Sequence, residues 1–186
     1  MDMTLHSTAS VVADRKSGMT GQYLIFSLGG DLFGVGTLRV REIIEYGNVT
    51  AVPMMPTYMR GVINLRGAVV PVIDLNARFG RQRTELSRRT CVVILEVIVD
   101  DGTHVLGIIV DAVSAVRNID AASIEPAPTF GTRIRADFIE GMAKTGAGFV
   151  ILLNLAKVLS IDELSVLQGQ APGGHATADQ AFIESN

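Results

Sequence analysis

The sequence predicts an all-β protein made of two small, repeated barrels of about five strands each, with short helical turns and a helix at the C-terminal end. Three observations carry that expectation. Short runs rich in Val, Ile, Phe and Tyr alternate with clusters of Gly, Asp and Asn, the signature of strands joined by turns. The second half of the chain lies over the first when small loop insertions are allowed. The only strong helix signal comes after the last apolar run, at Ser160–Gln168.

Taken in order, "YLIF" (23–26) parallels "CVVI" (91–94), and "LFGVGTLRVREI" (32–43) parallels "VLGIIVDAVSAV" (105–116) after a Gly/Asp turn in each. Gly34 falls on Gly107, Val40 on Val113 and Ile43 on Val116, at an offset of 73. Val49 and Pro53 then fall on Ile124 and Pro128 at 75, and Tyr58, Gly61 and "VIDL" on Phe138, Gly141 and "LLNL" at 80. Residues 23–28 alternate faces as a half-exposed strand does, whereas "AVVPVIDL" and "FVILLNL" are closer to continuously apolar and read as strands buried on both sides. Pro71 has no N–H to donate, so its strand is expected to be bulged or paired on one side there. Asp74 and Asn154 are expected N-caps, and Gly80 closes the first short helical turn. Ser160 with Glu163 forms a capping-box pattern, and Ile161, Leu164 and Leu167 share one helical face.

The composition narrows the function classes. With 186 residues, 48% apolar, 19% charged and 5% aromatic, the chain suits one globular domain or two small ones. Lys plus Arg number 16 against 19 Asp plus Glu, a formal charge of −3, and there is no Trp. A nucleic-acid barrel would want a basic groove and stacking platforms, so that alternative, a tandem SH3-like or OB-like barrel binding nucleic acid or another peptide partner, ranks second. No nucleic-acid partner is expected. Cys91 is alone in an apolar run, so no internal disulfide forms and a reducing, cytoplasmic setting is the simplest one. The apolar runs are far short of the roughly 18 residues that span a bilayer, so no direct membrane insertion is expected. Residues 1–20 and 169–186 have the composition of flexible tails around a body at 21–168.

No catalytic constellation is legible. His6, His104 and His175 lack partners at metal-ligand spacing, so no metal is expected. "GGDLFGVG" is followed by no Lys-Ser/Thr and reads as a hairpin rather than a phosphate loop, so no cofactor is expected either. Binding surfaces remain. In a regular strand Val40 and Glu42 point the same way, placing an apolar contact and an acid on one face. Arg66, in the glycine-flanked turn of "RGVINLRG", either reaches Glu42 in an ion pair with guanidinium donors to spare for a partner or is a solvated turn residue beside a solvated edge acid; spacing leaves both open.

"FGVGTLRVREII", "VPMMPTYMRGVINLRGAVVPVIDL", "LGIIVDAVSAV", "IEPAP" and "FVILLNLAKVL" together resemble the CheW family of chemotaxis coupling proteins, over about residues 22–168 and in the family's order. The resemblance implies two intertwined SH3-like five-stranded barrels, roughly 21–88 and 89–168 with strand exchange between them. It implies a non-catalytic adaptor, cytoplasmic and recruited to membrane-associated arrays, whose partners are the cytoplasmic signalling tip of chemoreceptors and the regulatory domain of the histidine kinase CheA. Carried over by position, it places receptor binding at Val40, Glu42, Gly61, Asn64, Arg66, Gly67, Val113 and Val116, with the kinase contacts unassigned. In this picture a receptor helix lies in a groove between the barrels with Asn64 and Arg66 at its rim. Gly36-Thr37 replaces an Asp-Ile pair frequent in the family, and "GRQRTELSRRT" (80–90) is unusually basic. Too few residues follow 168 for a fused receiver domain to be expected.

Overall fold

The structure is a computed structural model that describes residues 20–99, 102–128, 134–146 and 148–159. Eleven strands are present among the described residues: β1 (Thr20–Leu28), β2 (Asp31–Gly36), β3 (Val40–Glu45), β4 (Met59–Leu65), β5 (Ala68–Asp74), β6 (Cys91–Val99), β7 (Gly102–Val110), β8 (Ala112–Asp120), β9 (Ile124–Glu125), β10 (Ile139–Thr145) and β11 (Gly148–Leu153). Two one-turn helices, α1 (Leu75–Arg78) and α2 (Leu155–Val158), follow β5 and β11. Asp74 and Asn154 cap them as expected, each side chain accepting a hydrogen bond from the amide three residues on, at 3.3 Å in both. The expected C-terminal helix at 160–168 and both tails lie outside the described residues.

The strands form two sheets, in the orders β8-β1-β2-β11-β10-β9 and β3-β6-β7-β5-β4. Each curls toward closure because its two edges are consecutive in the chain. β8 passes to the opposite edge, β9, through the single 3-10 turn Ala121–Ser123. β3 likewise ends five residues before Thr50, which bridges Val62 on β4. The first sheet has six strands rather than five, the sixth being the two-residue β9.

The exchange of hairpins between halves is explicit in the pairing. Hairpin β1–β2 joins the sheet built by the C-terminal strands, and hairpin β6–β7 completes the sheet of β3, β4 and β5. Both insertions use the same parallel contact: Val72 pairs with Gly107, and Leu152 pairs with Gly34. Bridge Thr50–Val62 recurs as Glu125–Met142, and the amide of Asp74 on the carbonyl of Tyr58 (2.7 Å) recurs as Asn154 on Phe138 (2.8 Å). The offsets of 75 and 80 are therefore carried by equivalent bonds. The match of "YLIF" to "CVVI" is one residue out. Ile25 opposes Gly34 and Ile94 opposes Gly107, so Leu24, Ile25 and Phe26 correspond to Val93, Ile94 and Leu95. The hairpin β6–β7 is four residues longer than β1–β2, and that extension hides the register in a comparison of apolar runs.

Three cores explain the burial. The largest lies between the sheets and takes Leu24, Phe26 and Leu28 from β1 and Val93, Leu95 and Val97 from β6. The intervening residues face the interiors of their own barrels: Ile25 packs with Val150 and Leu152, and Val92 and Ile94 with Val70 and Val72. β1 is therefore not the half-exposed strand its alternation suggested, since Leu24, Ile25 and Phe26 are all buried. Burying side chains of this size is worth roughly 1.5–3 kcal/mol each, so the interface between sheets is part of the fold rather than a contact of two independent lobes. Pro71 pairs with Val62 of β4, and the parallel pairing to β7 starts at the next residue, Val72, as its missing N–H requires.

Candidate functional site

The hairpin β4–β5 turns in two residues, Arg66 and Gly67, between the paired Leu65 and Ala68. Both have positive φ, +52° and +87°, as a type I′ turn requires and as the right-handed twist of the flanking strands favours. An arginine in that conformation is costly beside the usual Asn or Gly. Asn64 compensates by accepting a hydrogen bond from the Gly67 amide at 2.9 Å, which ties the turn to β4. The turn then aims Arg66 at β3, where its guanidinium donates to Glu42 at 2.9 Å. Of the two readings left open by spacing, the ion pair is the one formed. Arg66 remains 78% exposed and Glu42 25%, so the pair stabilises the fold by roughly 0–1 kcal/mol and leaves donors directed at solvent.

Val40 and Glu42 do not share a face. Val40 opposes Leu95 and Glu42 opposes Ile94, so two steps on β3 match one on β6 and Arg41 is bulged. Paired residues of antiparallel strands lie on the same face, which puts Val40 on the side of the core between the sheets and Glu42 over the barrel interior. The same bulge occurs at Ser114 in β8, where Val113 opposes Phe26 and Ala115 opposes Ile25. The structure thus separates the candidates into two groups. Val40 and Val113 are half-buried against the core between the sheets, and beyond them Ile43 (42% exposed) and Val116 (52%) extend that apolar face. Glu42 and Arg66 line the open end of the second barrel, and Asn64 braces the turn that carries Arg66. Ile43 was not among the expected residues, although it occupies the repeat position of Val116 and shares its exposed apolar face.

Gly61 and Gly67 serve the backbone. Gly61 sits at a bulge in β4 with φ +149°, and a Cβ there would overlap the carbonyl oxygen of Thr50. Gly67 meets nothing within 4 Å, and only its positive φ demands glycine.

A cavity of about 530 Å³ opens at the barrel end, lined among others by Arg41, Glu42, Leu65, Arg66, His104 and Val105. Its repeat counterpart, of about 240 Å³, has Ala115 and Thr145 where this one has Glu42 and Leu65. A larger groove, of about 690 Å³, lies between the sheets at residues 20–23, 36–39, 97–98 and 153–156, and none of the eight expected residues lines it. Tyr23 on its wall has a phenol pKa raised above 10.0, by burial first and by the charge of Glu140 second.

Part of the basic stretch 80–90 is structural, through Arg81, Arg83 and Thr84. Asp74, fully buried, accepts from the amide and hydroxyl of Thr84 at 2.8 and 2.9 Å and pairs with Arg60 at 3.4 Å. Arg60 also donates to the Thr84 carbonyl at 3.2 Å. Arg81 bonds the Leu28 carbonyl and Asp31, and Arg83 bonds the Thr57 carbonyl. Arg60 and Thr84 were not singled out in the sequence, because only the fold brings them to Asp74. Among the described residues no group of three or more His, Cys, Asp or Glu side chains could hold a metal ion. Among them no helix is long and apolar enough to cross a membrane.

The family model described as "CheW-like domain" matches residues 22–163. The chain belongs to the CheW family. It is 35% identical over 165 residues to the chemotaxis protein CheW of Klebsiella aerogenes, covering 89% of this chain and 96% of that one. It is 31% identical over 146 residues to the chemotaxis protein CheW of Treponema pallidum, covering 78% and 86%. Protein FrzA of Myxococcus xanthus is 29% identical over 140 residues, covering 74% and 84%. Among solved structures, the scaffolding protein TtCheW of Thermoanaerobacter tengcongensis superposes with a TM-score of 0.70 at 33% identity, covering 86% of this CheW-family chain and 96% of its own. The Arg66 turn, both bulged strands and the barrel-end cavity all fall inside the matched domain.

Proposed function

We propose that this protein is a non-catalytic adaptor that couples the cytoplasmic tips of chemoreceptors to the regulatory domain of the histidine kinase CheA. The observation that carries the reading is the CheW-like domain over residues 22–163, within which Arg66 is held by Glu42 on a rigid two-residue turn with donors left for a partner. The relatives named chemotaxis proteins and the neighbour titled a scaffolding protein support the same role. The receptor surface combines two parts. Val40, Ile43, Val113 and Val116 supply apolar area beside the core between the sheets, and Glu42, Asn64 and Arg66 supply orientation at the barrel end. Gly61 and Gly67 hold the backbone that makes this geometry. A receptor helix laid on such a surface buries its apolar face and is fixed in register by the arginine.

The adaptor acts by bridging. Holding receptor and kinase together raises their effective concentration and passes on a conformational bias without any bond being made or broken by the adaptor itself. It works in the cytoplasm, recruited to membrane-associated receptor arrays. The test is a pulldown with a receptor signalling tip and the CheA regulatory domain, singly and together. Retention of each alone, and of a ternary complex, is expected. A folded protein that retains neither ends the proposal.

A further inference from the structure

We propose that the groove between the sheets is a docking site for this chain's own residues 160–168, which fill it as residues 80–88 fill the equivalent groove of the other repeat. The two repeats correspond at an offset of 80 from Tyr58 and Phe138 to the last described residue, Leu159, which matches Phe79. Phe79 and Leu159 both bond back to the first residue of their helical turns at 2.9 Å and both are buried in the core between the sheets. After Phe79 the chain turns into a groove floored by Asp74 and Asn76 and inserts Thr84, which is 3% exposed and bonded to both. Asp111 completes that floor, 3.5 Å from Asn76.

The counterpart groove retains the shape and changes the chemistry. At the offsets of 80 and 73 established by the pairing, Asn76 becomes Ala156, Asp111 becomes Leu38, and the inserted Thr84 becomes Leu164. Three polar groups linked through the Asn76 amide nitrogen in the first groove are replaced together by three apolar ones, as an apolar anchor requires. The groove is open, with about 690 Å³ available, and Leu38 and Ile98 on its lining are 99% and 59% exposed. That volume lies in the range of clefts that hold a ligand. A fully exposed Leu beside an exposed Ile is the apolar surface an amphipathic segment covers. Residues 160–168 carry Ile161, Leu164 and Leu167 at helical spacing. They are tethered at the groove: Leu159 lies three residues after Ala156, which lines it with Leu155, and Leu164 is within about 17 Å of chain from Leu159. Asp162 and Glu163 are the acids of this segment, and Arg39 is a cation on the groove lining.

Amide hydrogen exchange on the full-length chain tests this. Leu164→Asp is expected to raise exchange at residues 20–23, 36–39 and 97–98 by about tenfold or more while the β6 amides of 92–95 keep their protection, which shows that the fold survives. Leu38→Asp, at a position that touches little in the described structure, is expected to raise exchange in 161–167 by a similar factor. Neither effect depends on protein concentration. The proposal is overturned if Leu164→Asp leaves groove exchange unchanged, if dilution of the wild-type chain exposes the groove, which would assign it to a second copy, or if Val11→Asp or Phe182→Asp exposes it in place of Leu164→Asp, which would assign it to another segment.

Discussion

Arg78 Nε donates to the carbonyl oxygen of Val158 at 2.8 Å, and the two residues occupy the same position in the two repeats. The guanidinium carbon also lies 5.1 Å from the ring centre of Tyr58 and 4.9 Å from that of Phe138, another repeat pair. One asymmetric side chain therefore sits where the halves meet and engages both copies of the same site. Arg78→Ala is expected to lower stability by about 2–3 kcal/mol, the sum of a carbonyl bond and partly desolvated cation–π contacts. Arg78→Lys recovers under half of that, because a point charge cannot lie flat between two rings. Urea unfolding curves measure both.

Asp74 gathers an amide, a hydroxyl and an arginine without exposure to water. Asp74→Ala strands Arg60 and the Thr84 amide and is expected to cost about 3–5 kcal/mol. Arg60→Met with Asp74→Leu, which removes both charges, is expected to cost less than Asp74→Ala alone. The comparison of thermal melts decides whether the lost partner or the lost pair matters.

Gly61 and Gly67 both have positive φ but for different reasons, and alanine separates them. Gly61→Ala drives a Cβ into the Thr50 carbonyl and is expected to cost about 3 kcal/mol or more, with loss of the Thr50–Val62 bridge. Gly67→Ala meets open space and costs only the backbone term, about 1 kcal/mol. Equal melting temperatures for the two variants would contradict this account.

Arg66→Ala is expected to weaken retention on a receptor tip while moving the unfolding midpoint by less than the effect of about 1 kcal/mol, since the pair with Glu42 is exposed. Arg66→Gly is sharper. It relieves a side chain from a left-handed conformation, so the fold is expected to be as stable as wild type or slightly more so, and retention is still lost. A parallel fall in stability and retention would make Arg66 a structural residue.

Raising the pH above 10 is expected to destabilise the fold through Tyr23. Its folded pKa is raised, so the folded state holds a proton that the unfolded state has begun to release, and stability falls as pH climbs between the two values. Absorbance titration of the phenol reads the shift, and Glu140→Gln is expected to reduce it.

The repeat, the caps at Asp74 and Asn154, the pairing of Pro71 and the turn at Asn64 to Gly67 were all legible from residue type and spacing. Each depends on local stereochemistry: a missing N–H, a side-chain acceptor three residues before an amide, a glycine where φ is positive. The class of the protein was legible for the same reason, since the matched stretches encode turns and buried strands.

What needed tertiary structure was anything fixed by contact between distant segments. The bulges at Arg41 and Ser114 turn Glu42 away from Val40, and period-two alternation carries no sign of them. The burial of β1 on both faces comes from a second sheet packing on it, so its own pattern could not report it. The role of Thr84 beside Asp74, and the apolar lining of the groove where Leu38 and Ala156 stand in the other repeat, depend on which loop folds back on which strand. Short-range chemistry wrote the strands and turns of this protein; burial between its exchanged hairpins decided which residues reach the surface.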